Sequence, residues 1–428
     1  MKKNKIFNSL ILVAILLMIY TKLFKTYYIN IYNKLLSYIA IILILISSIY
    51  FTIKYKFLQF NIFKMYKAIK SSTKNDLMAL FMSLGAKIGV GSIVGISIAI
   101  HKGGPGVLLW IWIISILSSI LTFVETYLGI KYKNNNKSGV FYYIKEGINN
   151  KNLSIIYTII LISVYIFGFI GIQSNTIIKF TNNIFNINKY IIVIIICYII
   201  TIIINNKLNI IINIMSKIVP IMCILYISLC LIIIINNINS IKEVFIIIIK
   251  DGLRFERAIL GTIIIGLKRG IFATETGLGT SSIASNIGSS DKYTQGLFQV
   301  IGVHFISLVI ITITGIVIIS NNYLITDNSI ISLLIIFNKY YGIFGKLLLL
   351  TIVILFAIST IISGYYYSIE GLNFIRKTDN QYIIRIIVIF IIFLGGIAQS
   401  SIIWSLVDDL LLLLLIINIY TIICLRKK

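Results

Sequence analysis

The chain has 428 residues, of which 59% are hydrophobic and only 12% are charged, and its mean hydropathy is +1.01. These values exclude a soluble globular domain of this size and indicate a polytopic membrane protein. The net charge of +25 comes from basic residues between apolar runs, with no basic face long enough to follow a phosphate backbone, which argues against a nucleic-acid partner.

Apolar runs of membrane length predict about twelve transmembrane helices, because crossing a hydrocarbon core about 30 Å thick takes about 20 helical residues. In chain order, the predicted spans are 6–24, 35–53, 77–100, 106–130, 153–179, 190–205, 208–235, 258–287, 295–319, 344–370, 382–399 and 402–424. The first span follows a basic stretch like that of a secretory signal, but no small-residue cleavage site follows it, which favours a retained helix.

The lysines between these spans predict the orientation of the chain. With a cytoplasmic amino terminus, the loops 54–76 and 131–152 are cytoplasmic and hold six and five lysines, whereas the predicted outer turn 101–106 holds only Lys102. This bias agrees with the positive-inside rule. We therefore expect a multi-pass protein of the cell membrane with both termini in the cytoplasm.

The segment 1–76 is expected to form a unit of two helices and a basic cytoplasmic stretch. Aromatic and lysine residues mix in "SIYFTIKYKFLQFNIF", as they do at a membrane interface. The lysine-rich stretch that follows either lies on the lipid surface or forms a solvated linker, and the sequence leaves both possibilities open.

Two predicted spans contain glycines and charges that a simple membrane helix does not need. They are "GAKIGVGSIVG" at 85–95 and "LKRGIFATETGLGTSSIASNIG" at 267–288. The first alone is explained as well by close helix packing, since Gly91 and Gly95 have the small-xxx-small spacing. A second span with the same combination of glycines and charges instead favours two interrupted helices.

Each interruption opens a block of five helices, 77–236 and 258–424. This arrangement is typical of secondary transporters built from inverted repeats, whose substrate lies near the midplane where the first helix of each repeat unwinds. Freed N–H groups attract a carboxylate, and freed carbonyls attract a small cation. A zwitterionic substrate and a sodium ion match these freed N–H and carbonyl groups.

Charged and polar side chains inside these spans are candidate functional residues. Lys87 and Glu275 are costly at this depth, so they either interact across the two breaks or each meet other groups. Gln173 interrupts an apolar helix together with Ser174 and Asn175, where helix-to-helix hydrogen bonding is the simpler explanation. Glu125 is expected near a cytoplasmic helix end, paired with local lysines.

The two glycine-rich stretches resemble signatures of the alanine or glycine:cation symporters, a family of bacterial and archaeal carriers for small amino acids. "GAKIGVGSIVGISIAIHKGGPGVLLWIW" is similar to the family pattern of a basic residue before G-T-G-N-I-x-G, followed by G-G-P-G-x-x-x-W-x-W. "LKRGIFATETGLGTSS" is similar to K-R-G-x-F-S-N-E-A-G-M-G-S-A-P. "GIQSNTI", "FAISTI" and "WSLVDDLLLLL" look like further landmarks in the right order, and the resemblance covers about residues 45–424.

The resemblance implies an all-α leucine-transporter-like fold and a carrier driven by sodium, or in some members by protons. It implies that the substrate-binding residues are Val90, Gly91, Ser92, Gln173, Phe272, Thr276 and Thr280. By analogy with the wider fold, it implies that sodium is held by carbonyls of Gly85, Ile88 and Phe356 and by hydroxyls of Ser359 and Thr360.

The sequence departs from the family pattern at a few of these positions. G-T-G-N reads G-V-G-S at 89–92, and Gly364 stands where the pattern places tryptophan, which would enlarge the pocket. The expected function is sodium-coupled import of alanine or glycine. The alternatives are a divergent paralogue that carries another small zwitterion, or a membrane protein without transport activity.

An enzyme and a passive channel are not expected. The two histidines and thirteen acidic residues offer no converging catalytic groups, and polarity is concentrated at the two breaks rather than along a pore. No oligomeric state is predicted.

Overall fold

The computed structural model describes residues 27–134, 137–254, 262–321, 331–376 and 381–427. Within these residues the chain is almost entirely helical, with a single isolated β-bridge between Asn134 and Lys137. The predicted first span, 6–24, lies outside the described residues.

Fifteen helices are numbered here in chain order. They are α1 (Tyr27–Lys54), α2 (Ile62–Lys70), α3 (Lys74–Lys87), α4 (Val94–Gly103), α5 (Val107–Lys131), α6 (Lys151–Phe185), α7 (Lys189–Ile204), α8 (Leu208–Asn236), α9 (Ile241–Gly252), α10 (Ile263–Thr274), α11 (Thr280–Ala284), α12 (Lys292–Ser320), α13 (Ile331–Arg376), α14 (Tyr382–Ile397) and α15 (Ser400–Cys424).

Each of the other eleven predicted spans has a helical counterpart. Among the described residues, seven helices are long and apolar enough to cross a membrane, and α3 with the segment Val90–Gly103 forms an eighth span that is bent by 65°. The helices α7 and α14 are apolar but shorter. Gly342, with φ 63° and ψ −152°, kinks α13.

The first interruption is confirmed between α3 and α4. A capping box of Thr73 and Asp76 begins α3, and the helix ends at Ile88, whose ψ of 64° is not helical. An extended Gly89 then leads into one short 3₁₀ turn, Val90–Ser92. The backbone groups of 88–93 are therefore not all used by a regular helix.

The second interruption is confirmed between α10 and α11. Glu275, Gly277 and Gly279 all have positive φ, at 54°, 80° and 86°. Glycine adopts this conformation without a steric penalty, whereas a residue such as Glu275 pays about 1–2 kcal/mol for it. Contacts from neighbouring helices must therefore hold this turn in place.

The helix α5 crosses beside the second break, packing against α10, α11 and α12, while α13 packs along α3 and α8. At one end of the bundle, Gly106 N–H donates to Asp251 and Trp110 Nε1 donates to Gly252 O, both at 2.9 Å. We call this the turn end, since it holds the turn 104–106. The opposite end, which holds the segment 55–73, is called the lysine end.

Candidate functional site

The two interruptions meet in the interior of the bundle. Lys87 Nζ, in the last turn of α3, donates to Ser281 Oγ in α11 at 3.1 Å. Phe272 of α10 packs on the backbone of Gly91, where an added Cβ would lie only 2.0 Å from the ring atom Cε1. Position 91 therefore requires glycine because the Phe272 ring approaches its backbone closely, and not because of its backbone angles.

Gln173 of α6 organises the first break. The backbone N–H of Val90 donates to Gln173 Oε1 at 3.0 Å, which also fixes the orientation of the amide. Gln173 Nε2 is buried without a hydrogen-bond partner among the described residues, and a Cβ added to Gly89 would lie 3.0 Å from it. An unused amide donor therefore lies beside the unwound backbone.

Three aromatic rings form a wall on the turn-end side of Gly91. The Phe272 ring lies 4.8 Å from Phe169 and 5.0 Å from Trp404, measured between centroids. Arg269 lies 4.7 Å above the Trp404 ring, and its Nη2 bonds the carboxylate of Asp408 at 2.6 Å. A buried wall of this kind restricts the space beside the Val90 N–H group.

Four of the five residues in the predicted sodium site come together. Gly85 O accepts hydrogen bonds from Thr360 Oγ1 at 2.9 Å and from Ser359 Oγ at 3.3 Å. Phe356 O accepts from the same two hydroxyls, at 3.1 Å and 2.9 Å. Ile88, the C-cap residue that directly follows α3, is buried. The cluster is made only of oxygen donors, which suit a hard cation.

Lys87 and Glu275 share the buried region but do not form a direct ion pair. Glu275 accepts a hydrogen bond from Thr280 Oγ1 at 2.8 Å, and Lys87 bonds Ser281. Direct ion pairs closer than 4.0 Å do form elsewhere, as between Lys145 and Glu146 and between Arg269 and Asp408. The charges of Lys87 and Glu275 nevertheless act on each other.

The prediction for Glu125 was wrong. The residue is fully buried and accepts a hydrogen bond from Asn418 Nδ2 at 2.8 Å, rather than pairing with loop lysines. The reason is that α5 packs against α10 and α11 at this level, so Glu125 faces the second break instead of the cytoplasm. Through Asn418, whose Nδ2 also donates to Gly277 O, it is linked to the backbone of that break.

The second break is held by side chains that the sequence did not single out. Asn418 Nδ2 also donates to Gly277 O at 2.9 Å, and the Tyr143 hydroxyl donates to Asn418 Oδ1. The Tyr157 hydroxyl donates to Leu278 O. The only sequence signal was an asparagine within the apolar run 402–424.

The two predicted threonines of the second break have other partners. Thr276 Oγ1 lies 2.8 Å from Ser118 Oγ of α5 and 3.2 Å from Thr274 Oγ1, so it is directed towards α5. The Thr280 hydroxyl is used by Glu275. At the first break, the Ser92 hydroxyl donates to Gly89 O at 2.8 Å. These three hydroxyls shape the breaks rather than point freely into a pocket.

The neighbours of Gln173 on α6 join helices. Ser174 Oγ donates to Ile392 O at 2.7 Å, and Asn175 Nδ2 donates to Gly395 O and Ala398 O of the α14 region at 3.0 and 2.8 Å. The helix-joining explanation therefore holds for these two residues.

The space beside Gly364 is occupied by another ring. A Cβ added to Gly364 would lie 3.2 Å from Tyr165 Cδ1. Tyr165 is fully buried and lies 5.0 Å from Phe169 in a stacked arrangement. The expected enlargement of the pocket at this position is therefore limited by Tyr165.

A second polar contact joins the two halves at the lysine end. Asp76 Oδ1 accepts from the N–H groups of Ser289 and Ser290 at 2.9 and 3.0 Å and from Gln295 Nε2. Its Oδ2 accepts from Thr73 N–H at 2.8 Å. We call this the Asp76 latch, and the Arg269–Asp408 ion pair the Asp408 latch. The two latches hold opposite ends of the interrupted helices.

Comparison with known proteins agrees with this architecture. The model of the sodium:alanine symporter family matches residues 6–428. A probable sodium/glutamine symporter, GlnT of Bacillus subtilis, is 31% identical over 93% of this chain and 88% of its own. The sodium/alanine symporter AgcS of Methanococcus maripaludis is 25% identical over 86% of this chain and 88% of its own.

A solved structure shows the fold. The transporter MhsT, crystallised with L-phenylalanine, superimposes with a TM-score of 0.61 at 14% identity, over 81% of this chain and 88% of its own. The all-α leucine-transporter-like fold is therefore confirmed. The matched family and the named relatives are transporters rather than enzymes.

Proposed function

The chain belongs to the sodium:alanine symporter family, and from this premise we propose that it imports small neutral amino acids, alanine or glycine, together with sodium ions. The observation that carries the choice of a small substrate is the contact of Phe272 with Gly91. A substrate carboxylate at the Val90 N–H would place its α-carbon beside this ring, where only a short side chain fits.

The carboxylate site is formed by the first break. Val90 N–H is the donor, and it bonds Gln173 Oε1. On binding, the carboxylate replaces Gln173 Oε1, and the amide presents Nε2 as a second donor. Gly91 and Ser92 complete the unwound backbone around it. The positive end of α4 adds a favourable dipole, since Val94 begins this helix.

Sodium is the second substrate, and the oxygen cluster at Gly85, Ile88, Phe356, Ser359 and Thr360 is its proposed site. The hydroxyls now donate to the two carbonyls. When sodium binds, these protons turn away so that the hydroxyl oxygens can face the cation. The carbonyl of Gly85 lies near the end of α3, where the helix dipole also favours positive charge.

The two latches provide alternating access. With the termini in the cytoplasm, the turn end faces outwards and the lysine end faces inwards. Opening of the Asp408 latch would admit sodium and the amino acid from outside, and opening of the Asp76 latch would release them inside. Each rearrangement moves one interrupted helix against its neighbours while the site stays near the midplane.

Uptake by purified protein in proteoliposomes tests this function. An inward sodium gradient should drive accumulation of labelled alanine or glycine above equilibrium, and replacement of sodium by choline should abolish it. Glutamine must be included because GlnT is described as a probable sodium/glutamine symporter. Accumulation of glutamine alone, accumulation driven by a proton gradient alone, or no accumulation of any amino acid would overturn the proposal.

A further inference from the structure

The short helix α2 has two different exposed sides. Its buried residues, Met65 and Ala68, pack against α12. Four large apolar residues instead remain exposed, with relative exposures of 78% for Ile62, 88% for Phe63, 65% for Tyr66 and 47% for Ile69.

These side chains are arranged in order around the helix. At about 100° per residue, Ile62, Tyr66 and Ile69 form one apolar stripe about 60° wide beside the buried face. On the other side, Lys70, Lys67 and Lys64 lie at about 80°, 140° and 200° from Ile62, all three exposed, and the exposed Phe63 lies between Lys70 and Lys67. The helix therefore has a protein-facing side, an apolar side and a basic side, which is the pattern of a helix at a membrane surface.

The connections of α2 place it at that surface. One membrane-length helix ends at Lys54, and the next span begins at Lys74. Only residues 71–73 join α2 to α3, and three residues reach at most about 10 Å. The carboxyl end of α2 thus stays close to the point where α3 enters the membrane.

Contact with lipid explains the apolar and basic sides of α2 better than contact with water or with a second copy of the chain. Large apolar side chains are more stable away from water, so water is a poor environment for the apolar stripe. A second copy would bring two sets of lysines together. Phospholipid offers both an acyl region for the stripe and, where it is anionic, a counter-charge for the lysines.

We propose that α2 is a membrane-surface helix that binds anionic phospholipid headgroups through Lys67 and Lys70, the two lysines nearest the apolar stripe, with that stripe among the acyl chains. Each lysine near an anionic surface adds an electrostatic attraction, which salt screens. The lipid is recognised as a class, by headgroup charge, and the inference does not depend on which amino acid is transported.

The same helix is joined mechanically to the Asp76 latch. Ser71 Oγ and Ser72 Oγ donate to Ala68 O and Ile69 O at 3.1 and 2.7 Å, and the capping box of Thr73 and Asp76 follows at once. A lipid contact that holds α2 in place therefore also holds the first turn of α3, whose carboxylate closes the lysine end.

Tryptophan quenching by brominated lipid tests the position of the helix. Tyr66→Trp places the probe in the apolar stripe, and Lys64→Trp places it on the opposite side of the same helix. In vesicles of mixed phosphatidylcholine and phosphatidylglycerol, we expect brominated lipid to quench the added tryptophan of Tyr66→Trp. The fluorescence of the parent chain, which has three native tryptophans, is measured as the background. The probe of Lys64→Trp should be quenched mainly by aqueous iodide. Iodide quenching of both probes alike, or protection of the Tyr66→Trp probe from both quenchers, would overturn the proposal.

A comparison of two lysine pairs tests the choice of lipid. With Tyr66→Trp, brominated phosphatidylglycerol should quench at least about two-fold more than an equal amount of brominated phosphatidylcholine. Lys67→Gln with Lys70→Gln should remove this preference. The matched pair Lys151→Gln with Lys207→Gln, which also changes two exposed lysines, should keep it. Equal quenching by the two lipids in the Tyr66→Trp protein, or loss of the preference in both pairs, would contradict the inference.

Discussion

Lys87 Nζ and Ser281 Oγ lie 3.1 Å apart, although 194 positions separate them in the chain. This bond joins the last turn of the first helix before its break to the first turn of the second helix after its break. The two interruptions therefore form one region of the molecule, in which Lys87, Glu275 and Glu125 are all buried.

Removal of the Lys87 charge should harm the protein far more than removal of its hydrogen-bond partner. Lys87→Met removes a buried basic group of this region and also its bond to Ser281, so it should destabilise the protein more than the loss of that bond alone. Ser281→Ala removes one hydrogen bond, worth about 0.5–1.5 kcal/mol. Thermal unfolding in detergent, followed with uptake, measures both. Equal effects of the two substitutions would show that the charge is unimportant.

Two glycines of the first break should respond differently to alanine. In Gly91→Ala the new Cβ would lie 2.0 Å from Phe272, whereas in Gly95→Ala it would lie 3.5 Å from Trp404, an ordinary contact. Overpacking of this kind costs about 1–3 kcal/mol. We expect Gly91→Ala to lower alanine affinity at least about ten-fold and Gly95→Ala to leave it nearly unchanged, by equilibrium binding of labelled alanine. Similar affinities in the two variants would rule out the ring contact as a determinant.

The oxygen cluster should set the sodium requirement. Thr360→Val keeps the shape of the side chain but removes a proposed ligand, and should raise the sodium concentration for half-maximal uptake about ten-fold or more. The control is Ser363→Ala, one turn later, whose hydroxyl donates to Met82 O at 3.0 Å. An increase of the same size in the control would mean that helix packing, not ion binding, is affected.

The two latches should act at opposite ends. Asp76→Asn weakens the acceptor of the Ser289 and Ser290 amides, and should increase hydrogen–deuterium exchange in the segment 285–295. Asp408→Asn removes the charge that Arg269 binds, and should increase exchange in α10 instead. Each variant is the control for the other. Exchange that rises in both segments in both variants would indicate general destabilisation rather than latches.

The spans and the two breaks were predictable because their signals are local. Membrane length and glycine with charge in an apolar run belong to single segments, such as 85–95. The side-chain contacts that hold the second break were not predictable, because Glu125 and Asn418 are 293 positions apart and meet only in the folded bundle. Asp76 and Asp408 were missed for the same reason, since neither has its long-range partner nearby in sequence.

At the candidate sodium site, the family motifs predicted a long-range contact that the properties of single segments could not. Gly85 and Thr360 are 275 positions apart, yet the resemblance placed both in one ligand set, and they are in contact. It was less informative for Thr276, whose hydroxyl is directed towards Ser118. Such side-chain directions depend on neighbouring helices that no single motif specifies.

Reciprocal binding is the most direct test of the claim that the two breaks hold an ion and an amino acid together. Labelled alanine and sodium are titrated separately on the purified protein, each with and without a saturating amount of the other. We predict that sodium raises alanine affinity, and that alanine raises sodium affinity by the same factor, since coupling between two sites is reciprocal. Alanine binding that is unchanged by sodium would contradict the account.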